Sequence, residues 1–238
     1  MKKLIIASLM VVLMTSGFLV GCGGVLTGSG NLKTEEYAFS DFTKVEISSA
    51  FEFEISQSSS YSISVTADDN VIEKVEVTKE GDTLKIGLKT IPSLGPVTLR
   101  ATVTMPQLSG LNISGASRGT ISDFSSTENL NITVSGASKV TADITAGNAD
   151  FEISGASTIQ FEGSANNIAA DVSGASRFNL GGFIVNDANV SFSGASSGTV
   201  NLSGKLDANL SGASKLSYIG EPTMGSINTS GASTLSKK

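Results

Sequence analysis

Leu111-Asn112-Ile113-Ser114-Gly115-Ala116-Ser117, read together with its six later counterparts, decides how this chain folds. The tetrad Ser-Gly-Ala-Ser begins at Ser114, Ser135, Ser154, Ser173, Ser193, Ser211 and Ser230, at spacings of 21, 19, 19, 20, 18 and 19 residues. So steady a period predicts one supersecondary unit stacked on itself. The residue before the tetrad is apolar in the first six copies: Ile113, Val134, Ile153, Val172, Phe192 and Leu210. Two positions earlier stand Leu111, Ile132, Phe151, Ala170, Val190 and Ala208, while the places between are polar, as at Asn112, Glu152 and Asp171. After the tetrad the alternation resumes at Val140, Ile159, Phe178 and Leu216. Period-2 alternation marks a strand with one buried and one wet face.

Each unit therefore reads as strand, tetrad, strand, then a Gly/Asn/Asp turn. One such unit cannot cover its own apolar face, and stacking covers it. The expected fold is all-β, a parallel β-helix-like solenoid of about 19–20 residues per rung, with rungs about 4.8 Å apart. Gly115, Gly136, Gly155, Gly174, Gly194, Gly212 and Gly231 allow a bend that a Cβ would obstruct. Stacked serine hydroxyls are expected to hydrogen-bond to backbone at that bend. Either the tetrad is a corner, or it is the thin waist of one long strand with its second serine partly inward. The glycine favours the corner.

Outward from the repeat, residues 34–109 are strand-rich but irregularly spaced, and 110–238 carry the tetrads. Together, 34–238 read as one continuous domain. Asp41–Ser56 has the cadence of a degenerate first rung, with Ser48-Ser49-Ala50 where a tetrad would fall. Glu80-Gly81-Asp82 reads as a hairpin turn. The two prolines of Ile91–Pro96 predict a loop. The last copy is followed by five residues only, so its strand edge is expected to be open, with Lys237 and Lys238 guarding it or a partner docking there.

At the N-terminus, Lys2-Lys3 and the apolar run Leu4–Val20 have the form of an export signal over residues 1–21. Leu19-Val20-Gly21-Cys22 resembles a bacterial lipobox, which implies that Cys22 carries lipid and begins the mature chain. Residues 22–33 are Gly-rich and read as a flexible tether. Gly23 stands where an inner-membrane retention signal would have Asp, so an outer-membrane anchor is expected in an organism with two membranes.

Composition narrows the chemistry. The chain has no His, no Trp and one cysteine among its 238 residues. That removes the commonest general base and zinc ligand, a disulfide framework and a thiolate metal cluster. No metal and no cofactor is expected. Without Lys2 and Lys3 the chain has 14 basic and 22 acidic side chains, a balance that argues against nucleic acid. The repeated serines lack any activating neighbour and are needed once if catalytic, so no catalytic residue is assigned.

Two outward sets of side chains carry charge. Directly after the tetrads come Arg118, Lys139, Thr158, Arg177, Ser197, Lys215 and Thr234, a column with four cations. It reads either as a stripe for an anionic glycan, wall polymer or lipid headgroup, or as plain edge protection and solubility. Asp150, Glu152, Asp171 and Asp207 could supply a carboxylate pair or a weak cation site, although they fall on several rungs.

Leu108-Ser109-Gly110-Leu111-Asn112-Ile113-Ser114-Gly115-Ala116-Ser117, with the strands around Leu84–Ile86 and Val97–Pro106 before it, resembles the bacterial "putative auto-transporter adhesin, head GIN domain" family over about residues 40–236. Leu111 stands where the family name would have Ile. The resemblance implies an all-β, solenoid-like lipoprotein or secreted protein, and it carries no catalytic residues. The functional expectation is a lipid-anchored, non-enzymatic envelope protein binding a glycan, an envelope polymer or a protein through a solenoid face. A scaffold or envelope-stress component that recognises a membrane protein, or oligomerises through the open last rung, is the second reading. A polysaccharide-active enzyme using Asp150 and Asp171 is the third.

Overall fold

A computed structural model describes residues 25–89 and 93–238. The expected signal segment, Cys22 and the Ile91-Pro92 step lie outside the described residues. The tetrads are corners. Each joins a leading strand to a trailing strand: β8 (Gly110–Ile113) to β9 (Arg118–Ser125), β10 (Leu130–Val134) to β11 (Lys139–Thr145), β12 (Asn148–Ile153) to β13 (Thr158–Ser164), β14 (Asn167–Val172) to β15 (Arg177–Val185), β16 (Asp187–Phe192) to β17 (Ser197–Leu202), β18 (Lys205–Leu210) to β19 (Lys215–Ile219), and β20 (Thr223–Thr229) to β21 (Thr234–Lys237). Leading strands pair in parallel with leading strands, and trailing with trailing. Two facing sheets result, with the core as a thin filling between them. The expected parallel β-solenoid is the observed architecture.

The corner geometry explains the tetrad residue by residue. Its glycine takes φ between +65° and +76° in all seven copies, a conformation open to residues without a Cβ. In the upper corners the alanine N–H donates to the glycine carbonyl of the rung below, as from Ala156 to Gly136 at 2.8 Å. The hydrogen-bond ladder therefore continues around the bend. A Cβ on Gly155 would sit 2.3 Å from the Gly136 carbonyl oxygen, so the column needs glycine twice over.

The second serine of the first six tetrads is buried inward, a feature expected of the waist reading, while Ser233 in the last is only partly covered; corner and inward serine coexist. Ser196 Oγ donates to the Ser193 carbonyl at 2.8 Å and Ser233 Oγ to that of Ser230 at 2.7 Å. Ser214 Oγ reaches the Phe192 carbonyl at 3.3 Å. Ser117, Ser138 and Ser157, equally buried, have hydroxyls without a partner. The expected hydroxyl ladder thus holds in the upper turns and lapses in the lower ones.

Inside, the middle turns concentrate phenylalanine. Phe151 meets Phe161 and Phe178 edge-on at centroid distances of 5.3 and 5.2 Å, and Phe178 meets Phe192 at 5.8 Å. These are favoured aromatic arrangements. Gly198 breaks the apolar column after the tetrad because the Phe192 ring occupies the space a Cβ there would need. The 20-residue repeat absorbs its extra residue as a register shift at Gly181-Gly182 in β15, and the 21-residue repeat absorbs one beside Asp123 in β9 and the rest in the longer turn that follows it.

The first part closes the stack. β2 (Lys44–Ile47) and β3 (Glu52–Gln57) form the degenerate rung, with Ser49 and Ala50 at φ +68° and +62° in its corner. β8 and β9 lie on one side of this rung. On its other side lie β6 (Thr83–Leu88) and β7 (Leu99–Met105), so the rungs here stack out of chain order. β5 (Val75–Glu80) runs antiparallel to β6; β4 (Ser62–Asp68) runs antiparallel to β7, and β1 (Leu32–Tyr37) to β4. At the opposite end, β20 and β21 are edge strands with mostly exposed residues.

Residues 26–31, expected within a flexible tether, are instead bound to this closing layer. Leu26 N–H donates to the Ser93 carbonyl at 3.1 Å and Gly28 N–H to that of Pro96 at 2.9 Å. The buried Asp68 carboxylate accepts the N–H groups of Gly30 and Thr98, each at 2.7 Å. Those two donors hold its pKa below the ordinary carboxylate range. Glycine there serves close approach rather than looseness, since a Cβ on Gly28 would overlap Asp68.

Candidate binding faces

In a solenoid, the outward positions of successive rungs fall into straight columns, because parallel register repeats them at one strand spacing. The structure brings Arg118, Lys139, Arg177 and Lys215 into one such column on the trailing sheet. Arg118 pairs in register with Lys139, Lys139 with Thr158, Thr158 with Arg177, Arg177 with Ser197, and Ser197 with Lys215. All four cations are exposed. None of the six ion pairs found among the described residues includes them. Below Arg118 the column passes through Glu52 and Arg100, which pair with each other at 3.3 Å, to the uncharged Thr66 and Thr34.

The next outward column, two residues further along each strand, is uncharged and hydrogen-bonding: Thr120, Thr141, Gln160, Asn179, Thr199 and Ser217. Between Arg177 and Lys215 the small residues Ser197 and Gly198 leave a shallow depression of about 340 Å³, also lined by Asn179, Thr199 and Ser217. A third outward column brings in acid at Asp143 and Glu162, which are register partners. The cations thus run along the margin nearest the corners.

The leading sheet faces the other way and is acidic. Glu152 on β12 lies in register with Asp171 on β14, and Asp150 lies beside Ala169. With Asn131 and Asn189 these residues surround a depression of about 470 Å³, open because Ala169 is small. The structure therefore gathers Asp150, Glu152 and Asp171, where the sequence showed only a scatter over rungs. Asp207, two rungs from Asp171, is held apart by Lys205 at 2.8 Å and by the Ser226 N–H at 2.6 Å, and these lower its pKa. No group of three His, Cys, Asp or Glu among the described residues is arranged to hold a metal ion.

One feature of the far corner was not read from sequence. Asn148 Nδ2 donates to Asn129 Oδ1, and Asn167 Nδ2 to Asn148 Oδ1, each at 3.1 Å; Asp187 N–H then donates to Asn167 Oδ1 at 3.2 Å. This amide ladder fixes the second bend as the tetrad fixes the first. Its signal was present: Asn129, Asn148 and Asn167 follow one another at the dominant repeat spacing.

The comparisons with known proteins agree with this architecture. A solved structure of a "putative adhesin" from Bacteroides fragilis NCTC 9343 superposes with a TM-score of 0.80 at 21% identity, covering 90% of this chain and 100% of that one. A "putative lipid binding protein" from Parabacteroides distasonis ATCC 8503 gives 0.71 at 22% identity, covering 90% of this chain and 100% of that one. A "putative adhesin" from Parabacteroides merdae ATCC 43184 gives 0.69 at 17% identity, covering 90% and 98%. At such identities the likeness is one of fold. No curated protein matches the sequence. Residues 41–222 match the family described as "Putative auto-transporter adhesin, head GIN domain", and the chain belongs to that family.

Proposed function

We propose that the chain is a lipid-anchored, non-enzymatic adhesin of the bacterial cell envelope, binding another macromolecule through an outer face of the solenoid. The observation that carries this is the straight column of four exposed cations on the trailing sheet, none of them in an ion pair among the described residues. A rigid stack that aligns unspent charge suits recognition of an extended partner better than catalysis at a point. The absence of His and the inward, structural use of the repeated serines also favour binding over turnover. Anchoring rests on Cys22 in its lipobox-like setting. The test is protease shaving of intact cells, together with attachment of cells displaying the native chain or Cys22→Ser. Surface cleavage, and attachment lost when Cys22→Ser sheds the protein, are expected. Full protection from protease in intact cells would contradict display at the surface.

A second reading, a scaffold component that docks a membrane protein partner, is favoured by the uncovered last rung. Its strands are open, Met224 is 43% exposed, and Ile227 and Leu235 are only partly covered. Crosslinking from a residue placed at Ser236 would capture that partner, whereas recovery of uncrosslinked monomer alone would count against it.

A further inference from the structure

We infer that the trailing face binds a linear anionic polysaccharide with one negative charge per disaccharide, laid along the solenoid axis from Lys139 to Lys215. This rests on the binding-face reading above and names its ligand class. From Lys139 upward the column alternates strictly: Lys139, Thr158, Arg177, Ser197, Lys215, Thr234, each in register with the next. Cations therefore recur every second rung, about 10 Å apart. That is about the length of one disaccharide in an extended β-linked glycan, so a uronate on every second sugar meets a cation each time. Repulsion between stacked cations does not by itself impose the alternation, because Arg118 and Lys139 sit on adjacent rungs in direct register.

Three further features select a sugar polymer over other polyanions. The neighbouring column offers only hydroxyl and amide groups, suited to sugar hydroxyls along its whole length. Asp143 and Glu162, one column further, repel a second anionic chain and confine the first to the corner margin. Large exposed apolar side chains, which a lipid surface would engage, are represented on β9–β19 by Ile184 alone, at the far end of its strand. The aromatic rings of these trailing strands are buried, apart from the half-buried Tyr218, so ring stacking adds little. Affinity then comes from charge and hydrogen bonds and falls steeply with salt.

The test titrates the full mature chain with hyaluronan oligosaccharides, with dextran and anionic phosphatidylglycerol vesicles as comparison arms. Arg177→Gln with Lys215→Gln should weaken hyaluronan binding roughly tenfold or more, while Lys205→Gln on the opposite face leaves it unchanged. A charge-neutral exchange, Ser197→Lys with Lys215→Ser, moves one cation to adjacent-rung spacing. It should weaken binding of hyaluronan, with an unaltered melting curve showing that the fold is kept. Equal binding by the native chain and the exchange variant would overturn the inference, as would preference for the vesicles or no hyaluronan binding. In those cases cell attachment, measured separately, would still judge the adhesin reading.

Discussion

The tetrad turns and the layer that closes their lower end solve the same problem by different means. In residues 110–238 one move is repeated: from Gly136 upward each corner is set by glycine at positive φ and by a glycine carbonyl that accepts from the next alanine. In the first tetrad Ala116 is also at positive φ, and the Gly115 carbonyl accepts from Ala50. In residues 25–89 and 93–109 the rungs stack out of chain order, antiparallel strands cover the edge, and a buried carboxylate ties two loops together. The corner of the degenerate rung places Ser49 and Ala50 in the left-handed region, and the first tetrad beside it does the same with Ala116; a side chain there costs roughly 1–2 kcal/mol. A repeat can use one local device many times. A cap must be specified singly, through contacts between distant segments.

Glycine substitutions break this contrast most sharply. Gly155→Ala should cost about 3 kcal/mol, from left-handed strain and from overlap with the Gly136 carbonyl, and should lower the melting temperature accordingly. Gly81→Ala in the cap hairpin, also at positive φ but with open space around it, should cost only about 1 kcal/mol. Equal losses would mean that close stacking at the corner is not what selects glycine.

Asp68 sharpens the comparison from the other side. Its folded pKa is depressed, so its contribution is present above the ordinary carboxylate range and is lost as pH falls through the folded value. Amide exchange at Gly30 and Thr98 should therefore accelerate on acidification before exchange in the tetrad turns does. Asp68→Asn should produce the same local release near neutral pH. Uniform acceleration across both regions would contradict a locally held cap.

The smallest effect lies within the serine column. Ser196→Ala removes a hydroxyl that donates at 2.8 Å and should cost about 1 kcal/mol. Ser157→Ala removes an unpartnered buried hydroxyl and should be neutral or stabilising by a similar amount. Denaturant melts of the two variants would settle whether the ladder has two distinct halves.

The sequence made the repeat legible because its physics is local. Gly155 and Phe151 can be assigned a corner and a core from period and alternation alone. What it hid depends on register between remote segments. Nothing around Thr83–Leu88 says that β6 will lie beneath β2 rather than after it, since an open strand edge accepts any well-patterned partner. The glycines before Leu32 read as looseness, yet Gly28 is small so that Asp68 can approach. The cation column was visible in the alignment of Arg118, Lys139, Arg177 and Lys215. That these side chains form no ion pair among the described residues, while Arg100 pairs with Glu52, is known only from the folded arrangement.

The most direct measurement compares attachment of cells displaying two multiple variants with attachment by the native chain. One removes the trailing-face cations through Arg118→Gln, Lys139→Gln, Arg177→Gln and Lys215→Gln. The other neutralises the leading face through Asp150→Asn, Glu152→Gln and Asp171→Asn. At matched display and melting temperature, attachment should disappear with the first variant and persist with the second. Persistence with the first, or loss only with the second, would contradict recognition through the trailing face.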